Sequence, residues 1–359
     1  MIRVDIRPVW TLHGESQGER ELDVQLVAIL ERLEATAKLA DGAVRAGISY
    51  RHAWNVVREW ERFFGAPLVV KTQGRDTRLT PLGRRLLWAA RRAQARLAPE
   101  LENLAADFER SLNESLADAP PTALVMHASH DFAVAALREL CGGSGNLEIQ
   151  YKGSFDALAA LRRGESDVAG FHVPEGPIGE LMARRYAECL PIREHRLICF
   201  VTRKQGLIVR AGNPKAIAGV RDLARRDVRM VNRQRGSGTR ALLESLIALE
   251  GLDRARLRGY DAEEITHAAV AALIAGGQAD AGIGVQAAAA QYRLGFVPLC
   301  DERYYLACRA EDIDSPAIRS LIAVLRGPAF RERVARIPGY AAADAGDLVD
   351  SLEPHALPR

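Results

Sequence analysis

The chain has 359 residues, of which 48% are hydrophobic, 26% charged and only 6% aromatic, with a formal net charge of +3. That composition can build packed cores for two or three domains, and it excludes a disordered acidic chain, a collagen-like repeat and a small disulfide scaffold. Five scattered cysteines (141, 189, 199, 300 and 308) without a Cys-x-x-Cys pair suit buried thiols in a reducing compartment. Residues 1–5 carry Arg3 and Asp5 and lead into no apolar run, so no secretory leader is expected. The small-residue stretch 268–290 is broken by Gln278, Asp280 and Gln286, and no membrane span is expected there. The expected location is the cytoplasm.

Charge is unevenly placed. Residues 43–97 hold twelve Lys or Arg against Glu59, Glu61 and Asp76, a block of net +9 that leaves −6 for the rest. A basic block beside an acidic remainder is the footprint of a nucleic-acid-binding module joined to another domain. In chain order, Val4, Ile6, Pro8 and Trp10 alternate like a strand, and residues 23–33 predict a helix with Val24, Val27, Leu30 and Leu33 on one face. A short helix over 39–46 follows, with Ala43 and Gly47 suited to close approach and a sharp turn. A third helix opens at Ser49, an N-cap residue, with Ala53, Val56, Val57, Trp60 and Phe64 at helical spacing. Tyr50, Arg51, His52, Asn55 and Arg58 are left on its other faces, where they suit major-groove base edges.

Residues 68–71 and 77–79 flank Gln73-Gly74-Arg75, which predicts a hairpin with a basic tip, in effect a wing. Lys71, Arg75 and Arg78 would reach phosphates or the minor groove. Thr80-Pro81 then starts a long helix whose Leu86, Ala90, Ala93, Leu97, Leu101, Leu104 and Phe108 make a heptad seam for dimerisation. Pro99 predicts a kink or break within it.

Residues 43–83 resemble the winged helix-turn-helix of LysR-type transcriptional regulators. They resemble more closely the ModE-type DNA-binding domain of molybdate regulators. GISYRHAWNVVREWE (47–61) and LTPLG (79–83) carry the match. The resemblance implies that the helix from Ser49 enters the major groove and that the helix after Leu79 dimerises. It also implies a homodimer or homotetramer on a double-stranded operator with an inverted repeat. The first twenty residues depart from a plain LysR-type start.

Residues 112–121, LNESLADAPP, read as a linker. Beyond them strands at 123–127, 147–151, 167–171 and 228–231 alternate with helices at 132–140, 155–162 and 239–249, which predicts parallel sheets flanked by helices. LAALRRGESDVAG (158–170) resembles VAALIAGGQADAG (270–282), an internal repeat centred on Gly164 and Gly277 that points to two similar lobes.

The chemistry is expected where loops enter helices: Ser129-His130-Asp131, Gly153-Ser154, residues 233–239 and Thr266-His267. Helix N-termini expose unpaired N–H groups and the positive end of the dipole, and so hold anions. In Arg235-Gly236-Ser237-Gly238-Thr239, glycines allow close approach, hydroxyls add donors and Arg235 adds charge-assisted bonds. The spacing is not that of a Walker A loop. Taken singly, Ser129 and Ser154 are ordinary caps, and a lone histidine such as His172, His195 or His267 is ordinarily a packing residue.

ASHDFAVAAL (128–137), VNRQRGSGTRALLE (231–244) and GGQADAGIG (276–284) resemble type II periplasmic-binding-protein domains fused to regulators or molybdopterin-biosynthesis proteins. RGSGT is similar to the oxyanion loop of tungstate- and molybdate-binding relatives. That resemblance implies ligand contacts from Ser129, Ser154, Arg235, Ser237, Gly238 and Thr239, beside the loop residues His130 and Thr266. The implied effector is molybdate, tungstate or a small carboxylate such as formate. The implied targets are genes of molybdenum or tungsten enzymes such as formate dehydrogenase.

The expected architecture is α/β: an N-terminal winged helix-turn-helix (1–83), a linker and dimerisation helix (84–121), a two-lobed, Rossmann-like effector domain (122–345) and a tail (346–359). Lobe I would comprise 122–200 and 295–345, and lobe II 201–294. No catalytic residue, metal or cofactor is expected. The rival readings are an enzyme using His130-Asp131 or His172 as acid–base groups, and a stand-alone anion-binding protein.

Overall fold

The computed structural model describes residues 2–15, 17–71, 76–116, 123–141, 147–191 and 193–349. The chain divides into two compact units, residues 7–95 and residues 1–6 with 96–359. The division falls inside the long helix, downstream of the expected boundary at residue 83, and the first six residues join the larger unit.

The smaller unit begins with a hairpin of β1 (Thr11–Gly14) and β2 (Gly18–Glu21), followed by α1 (Val24–Thr36), α2 (Leu39–Arg45) and α3 (Tyr50–Phe64). A second antiparallel hairpin, β3 (Val69–Lys71) with β4 (Thr77–Leu79), precedes α4 (Pro81–Leu116), which continues into the larger unit. The expected tip residue Arg75 lies outside the described residues. Asp23 caps α1, accepting from the Gln25 N–H at 2.7 Å. Its buried stripe is Leu26, Ile29, Leu30 and Leu33, whereas Val24, expected on that face, is 81% exposed at the first helical position. The α3 face is the expected one, with Ala53, Val56, Val57 and Trp60 buried and Gly65 ending the helix at φ 62°.

One expectation fails here, and of the kink or break expected at Pro99 the break is absent. Residues 2–10 form no strand. Within the larger unit the Ile2 and Val4 N–H groups instead donate to Asn113 Oδ1 (2.8 Å) and Glu109 Oε1 (2.7 Å) on α4. The added hairpin lies just downstream, and its Arg20 donates to Glu59 (2.8 Å) and covers the Trp60 ring at 4.7 Å. Helix α4 also runs unbroken through Pro99. Pro99 is buried, and side chains on both sides of it, at Arg96 and Asn103, are tied to the larger unit, which holds the turn despite its missing N–H. On the heptad seam, Leu97, Leu104 and Phe108 are exposed.

The larger unit contains β5 (Leu124–Ala128), α5 (Phe132–Cys141), β6 (Leu147–Tyr151), α6 (Ser154–Arg162), β7 (Val168–Pro174) and α7 (Pro177–Ala187). After β8 (His195–Val209) come β9 (Met230–Arg233), α8 (Gly238–Leu249), β10 (Glu263–Glu264), α9 (His267–Ala275), β11 (Ala281–Val285) and α10 (Gln286–Gln291). The chain closes with β12 (Gly295–Arg309), α11 (Pro316–Arg326), α12 (Pro328–Ala335), β13 (Tyr340–Ala341) and β14 (Leu348–Val349).

One sheet runs β10-β9-β11-β8-β12-β7-β5-β6. Its outer strands pair in parallel, β10 with β9, β9 with β11, β7 with β5 and β5 with β6. The long central strands β8 and β12 pair antiparallel with each other and with their other neighbours, so the parallel expectation holds only within each lobe. They run through both lobes: the expected boundary at residue 200 falls inside β8, and that at 295 on the first residue of β12. Residues 348–349, expected in the tail, pair with β8.

The internal repeat is a repeat of bonds. Gly164 and Gly277 turn the chain at φ 74° and 76°. Asp167 then donates its N–H to the Val125 carbonyl (2.8 Å) and accepts from Val125 N–H (2.9 Å). Asp280 does the same to Arg229, at 2.7 and 2.9 Å. Each Asp ties the start of its own strand to the start of the parallel neighbour, which explains a shared Gly-x-x-Asp in two otherwise different sequences.

Gly83 in LTPLG has a packing reason. A Cβ there would stand 2.2 Å from the Leu68 carbonyl oxygen. Gly83→Ala, which would gain about 1 kcal/mol in an isolated helix, is therefore expected to cost about 1–3 kcal/mol through overpacking. Urea unfolding would measure the sign.

Candidate functional site

Three helix N-termini meet between the lobes: α6 opens at Ser154, α8 at Gly238 and α9 at His267. A Cβ on Gly238 would stand 3.4 Å from the Tyr186 hydroxyl and 3.5 Å from Ser154 Oγ, so lobe II backbone faces lobe I side chains directly. Side-chain hydroxyls cap two of these helices: Ser237 accepts from Arg240 N–H (3.1 Å) and Thr266 from Ala269 N–H (3.0 Å).

Beneath them lies a buried ionic chain. Arg203 on β8 pairs with Asp131 and, at 2.7 Å, with Glu302 on β12. Tyr340 donates to Asp131 (2.7 Å), and Gln205 donates to Glu302 (3.0 Å) and Thr239 Oγ1 (3.1 Å). The chain therefore runs from lobe I through the two central strands to the start of α8. Burial alone would depress the Arg203 guanidinium, but Glu302 and Asp131 overcome it and hold Arg203 well above its ordinary pKa.

Arg233 differs in kind. It ends β9 and is 5% exposed, with Nη2 donating to the Ile265 carbonyl at 2.7 Å and Nε to the Glu264 carbonyl at 3.3 Å. Its Nη1 has no hydrogen-bond partner among the described residues. Burial, then the nearby Arg203, pulls its pKa down to about 9. Both nitrogens of buried His172 and Nδ1 of buried His267 also lack partners among the described residues. Burial, followed by the fields of the two arginines, pushes both imidazoles well below their usual range and keeps them neutral. The buried Ser154 and Tyr186 hydroxyls, both beside Gly238, likewise lack a hydrogen-bond partner among the described residues. A buried guanidinium with one nitrogen unpaired among the described residues thus lies amid neutral polar groups and helix N-termini, an arrangement able to hold an anion.

The expected contacts divide. Ser154, Gly238 and Thr239 lie in this cluster, while Ser237 and Thr266 serve as caps. Ser129 is half-buried. His130 turns away, with Nε2 3.5 Å from Glu102 on α4 and its ring edge-on to Tyr151. Arg235, expected to hold the anion, is 81% exposed and lies 3.6 Å from Glu263. The arginine buried in this cluster is Arg233. Gly236 turns the chain at φ 82° and the loop carries Arg235 outward, whereas Arg233 still belongs to the strand. Its sequence signal is a charged residue at the carboxyl end of an apolar parallel strand, where α/β crevices open. Sequence reasoning also missed Arg203, Gln205 and Glu302.

In the smaller unit, Ser49, Tyr50, Arg51, His52, Asn55 and Arg58 are all exposed, as are Lys71 and Arg78 on the hairpin. Trp54, not foreseen, organises them. Tyr50 meets it edge-on at 6.5 Å, Arg58 covers it at 5.7 Å and Lys71 Nζ at 4.9 Å, which ties α3 to the wing. Among the described residues no group of three His, Cys, Asp or Glu could hold a metal ion, and no helix is long and apolar enough to cross a membrane.

A family model described as the PBP superfamily domain matches residues 136–326, more than half of the chain, and the chain belongs to that family. Among individual proteins, it is 34% identical over 200 residues to the uncharacterized protein YvgK of Bacillus subtilis (strain 168), covering 56% of this chain and 64% of YvgK. The chain thus spans less than two thirds of that relative's length. It is 33% identical over 112 residues to an uncharacterized protein in the ferredoxin 2Fe-2S gene 5' region of Clostridium pasteurianum, covering 31% of this chain and 99% of that one.

Solved structures of similar shape include a cysteine mutant of OxyR from Corynebacterium glutamicum with bound H2O2 (TM-score 0.44, 16% identity, 87% of this chain and 93% of that one). Another is a putative phosphate ABC transporter substrate-binding protein with bound phosphate from Clostridium perfringens (TM-score 0.45, 13% identity, 61% and 99%). A third is the probable transcriptional regulator PA0477 from Pseudomonas aeruginosa (TM-score 0.43, 18% identity, 85% and 98%). Likeness at this level carries nothing about what this chain binds.

The buried imidazoles have a consequence for stability. His127, pulled down to about 4 by burial and then Lys152, joins His172 and His267 in resisting a proton that the unfolded chain accepts near pH 6.5. Their contribution is complete above pH 6.5 and is lost as pH falls, by up to about 1.4 kcal/mol per pH unit for each. Urea unfolding from pH 7.5 to 5 should show this decline, shallower by about one proton in His172→Gln. A flat profile would contradict neutral burial.

Proposed function

We propose that the protein is a one-component transcriptional regulator, dimeric or tetrameric through α4, in which a winged helix-turn-helix reads an inverted repeat and the two-lobed unit senses a small anion. The observation that carries the sensor reading is Arg233 Nη1, a buried guanidinium nitrogen unpaired among the described residues, beside two neutral histidines and the α8 N-terminus. The DNA reading rests on the exposed polar face of α3, joined to Lys71 through Trp54, inside the +9 block. The candidate anions are small oxyanions or carboxylates, the class that includes molybdate, tungstate and formate. The resemblance of the sensor to molybdate-binding relatives nominates genes of molybdenum or tungsten enzymes, formate dehydrogenase among them, as targets. An acid–base enzyme is the weaker reading, because His172 is locked neutral in the interior and His130 faces Glu102.

Two experiments test this. A thermal-shift screen of anions should raise the transition of the native protein, since a ligand bound only to the folded state stabilises it by about 2.7 kcal/mol at a hundred times Kd. Arg233→Ala should abolish the response and Arg235→Ala should spare it. The reverse result would move the site to the exposed loop. For DNA, about four phosphate contacts per protomer in a dimer give a log–log salt slope of about −7. Arg51→Ala should weaken specific more than nonspecific binding, and Lys71→Ala both alike. A slope near zero in anisotropy titrations would remove the DNA claim.

A further inference from the structure

The anion site contains unpaired acceptors as well as donors. Glu302 Oε2 is fully engaged, accepting from Arg203 Nε (2.8 Å) and Gln205 Nε2 (3.0 Å) and pairing with Arg203 Nη2 (2.7 Å). Glu302 Oε1 has no hydrogen-bond partner among the described residues, and neither has Gln205 Oε1. Both residues are fully buried. The Gln205 amide cannot be turned to relieve this. Its nitrogen donates to both Glu302 and Thr239 Oγ1, using both of its hydrogens, and a flip would set its oxygen against the Glu302 carboxylate.

These acceptors belong to the same cluster as the donors. Glu302 lies close enough to act electrostatically on both Arg233 and Tyr186. Gln205 bonds to Thr239, the second residue of α8, whose first residue approaches Ser154 and Tyr186. A buried acceptor left without a donor is costly, and more so when it is charged. A ligand made only of acceptors, as molybdate, sulfate and formate are, leaves both oxygens unpaired and sets its own charge against Glu302. A ligand that brings a hydrogen to Glu302 pairs one of them and removes the repulsion. The charge count agrees: the two buried arginines face Asp131, Glu302 and the buried Glu264, so the cluster itself does not call for a highly charged anion.

We propose that the effector carries at least one hydrogen-bond donor beside its anionic head. It would be either a protonated oxyanion of the hydrogen-phosphate kind or a small carboxylate bearing a hydroxyl or amino group. In either case Arg233 and the helix N-termini take the anionic oxygens, and Glu302 Oε1 takes the donor. This rests on the anion-site reading above and narrows it.

The test is a set of matched pairs on the full chain at pH 7.5, by thermal shift and isothermal titration: phosphate against sulfate and molybdate, and glycolate and glycine against acetate. The donor-bearing member of at least one set should bind at least about tenfold more tightly, and up to about 10⁴-fold where a buried partner would otherwise stay unpaired. Glu302→Gln, whose amide can donate to an acceptor-only anion, should shrink that ratio. Its folding is checked by its urea midpoint, and should it fail to fold, the wild-type ratios decide alone. If anions bind but no donor-bearing member outbinds its acceptor-only counterparts in either set, the donor requirement is overturned while the anion site stands. Unchanged discrimination in a folded Glu302→Gln protein overturns the assignment to Glu302. If no anion at millimolar concentration produces any response, the anion-site reading falls, and this proposal with it.

Discussion

Arg203 is fully buried between Asp131 and Glu302, and the rest of the sensor is arranged around that arrangement. Removing three charges from water is expensive, and their mutual attraction offsets the cost only when the geometry is good and the remaining lone pairs are bonded. Here Tyr340 and Gln205 supply the extra bonds. A hydrophobic trio of similar volume could hold the lobes as well. What the ions add is directional: Asp131 comes from the turn before α5, Glu302 and Arg203 from the two crossing strands, and Gln205 extends the chain to α8. The lobes can meet in only one register without breaking a buried ion pair.

The same constraint divides the work between two arginines. Both are buried deeply, yet burial raises no difficulty for Arg203, which has two carboxylates, and depresses Arg233, which has carbonyl partners and a free Nη1. Arg203 holds the structure and Arg233 is left for a ligand. The carbonyls that fix Arg233 belong to Glu264 and Ile265, and the Glu264 side chain lies 3.7 Å from Arg96 on α4. On lobe I, Asn103 of α4 bonds both the N–H (2.6 Å) and the carbonyl (3.2 Å) of Tyr151, and Glu102 meets His130, the neighbour of Asp131. Helix α4 therefore touches each lobe one or two residues from the site. If the proposed effector favours one spacing of the lobes, these contacts would carry the change to the linker helix, which a coupling of the two proposed functions requires.

Periodicity made the scaffold legible and left the site only partly so. The α3 face, the wing strands and the lobe strands could be read because apolar residues there repeat at 3.6 or sit in short runs. The central strands could not. Arg203, Gln205 and Gly206 interrupt β8, and Asp301-Glu302-Arg303 interrupts β12, so the segments that carry the ionic chain look least like strands. The anion loop was found from its glycines, but its arginine was misassigned, because Arg235 and Arg233 stand two residues apart and only the fold shows which one remains in the strand. Trp54 was hidden differently. Neither wholly buried nor exposed, it belongs to no apolar stripe, and its role depends on Lys71 arriving from another element.

The uneven charge then acquires a physical sense. The basic face is exposed, so its interactions are screened by salt within about 8–10 Å under ordinary conditions. Arg233 is buried, inside a unit of the chain that is acidic as a whole. Long-range attraction cannot draw an anion there, so affinity must come from unpaired groups at contact distance, and such groups discriminate by hydrogen-bond pattern rather than by charge. The two halves thus offer opposite electrostatics: an exposed basic face whose field is diffuse and salt-sensitive, and a buried guanidinium whose field is local. Under the proposed function, ionic strength would alter the grip on DNA without altering what the sensor recognises.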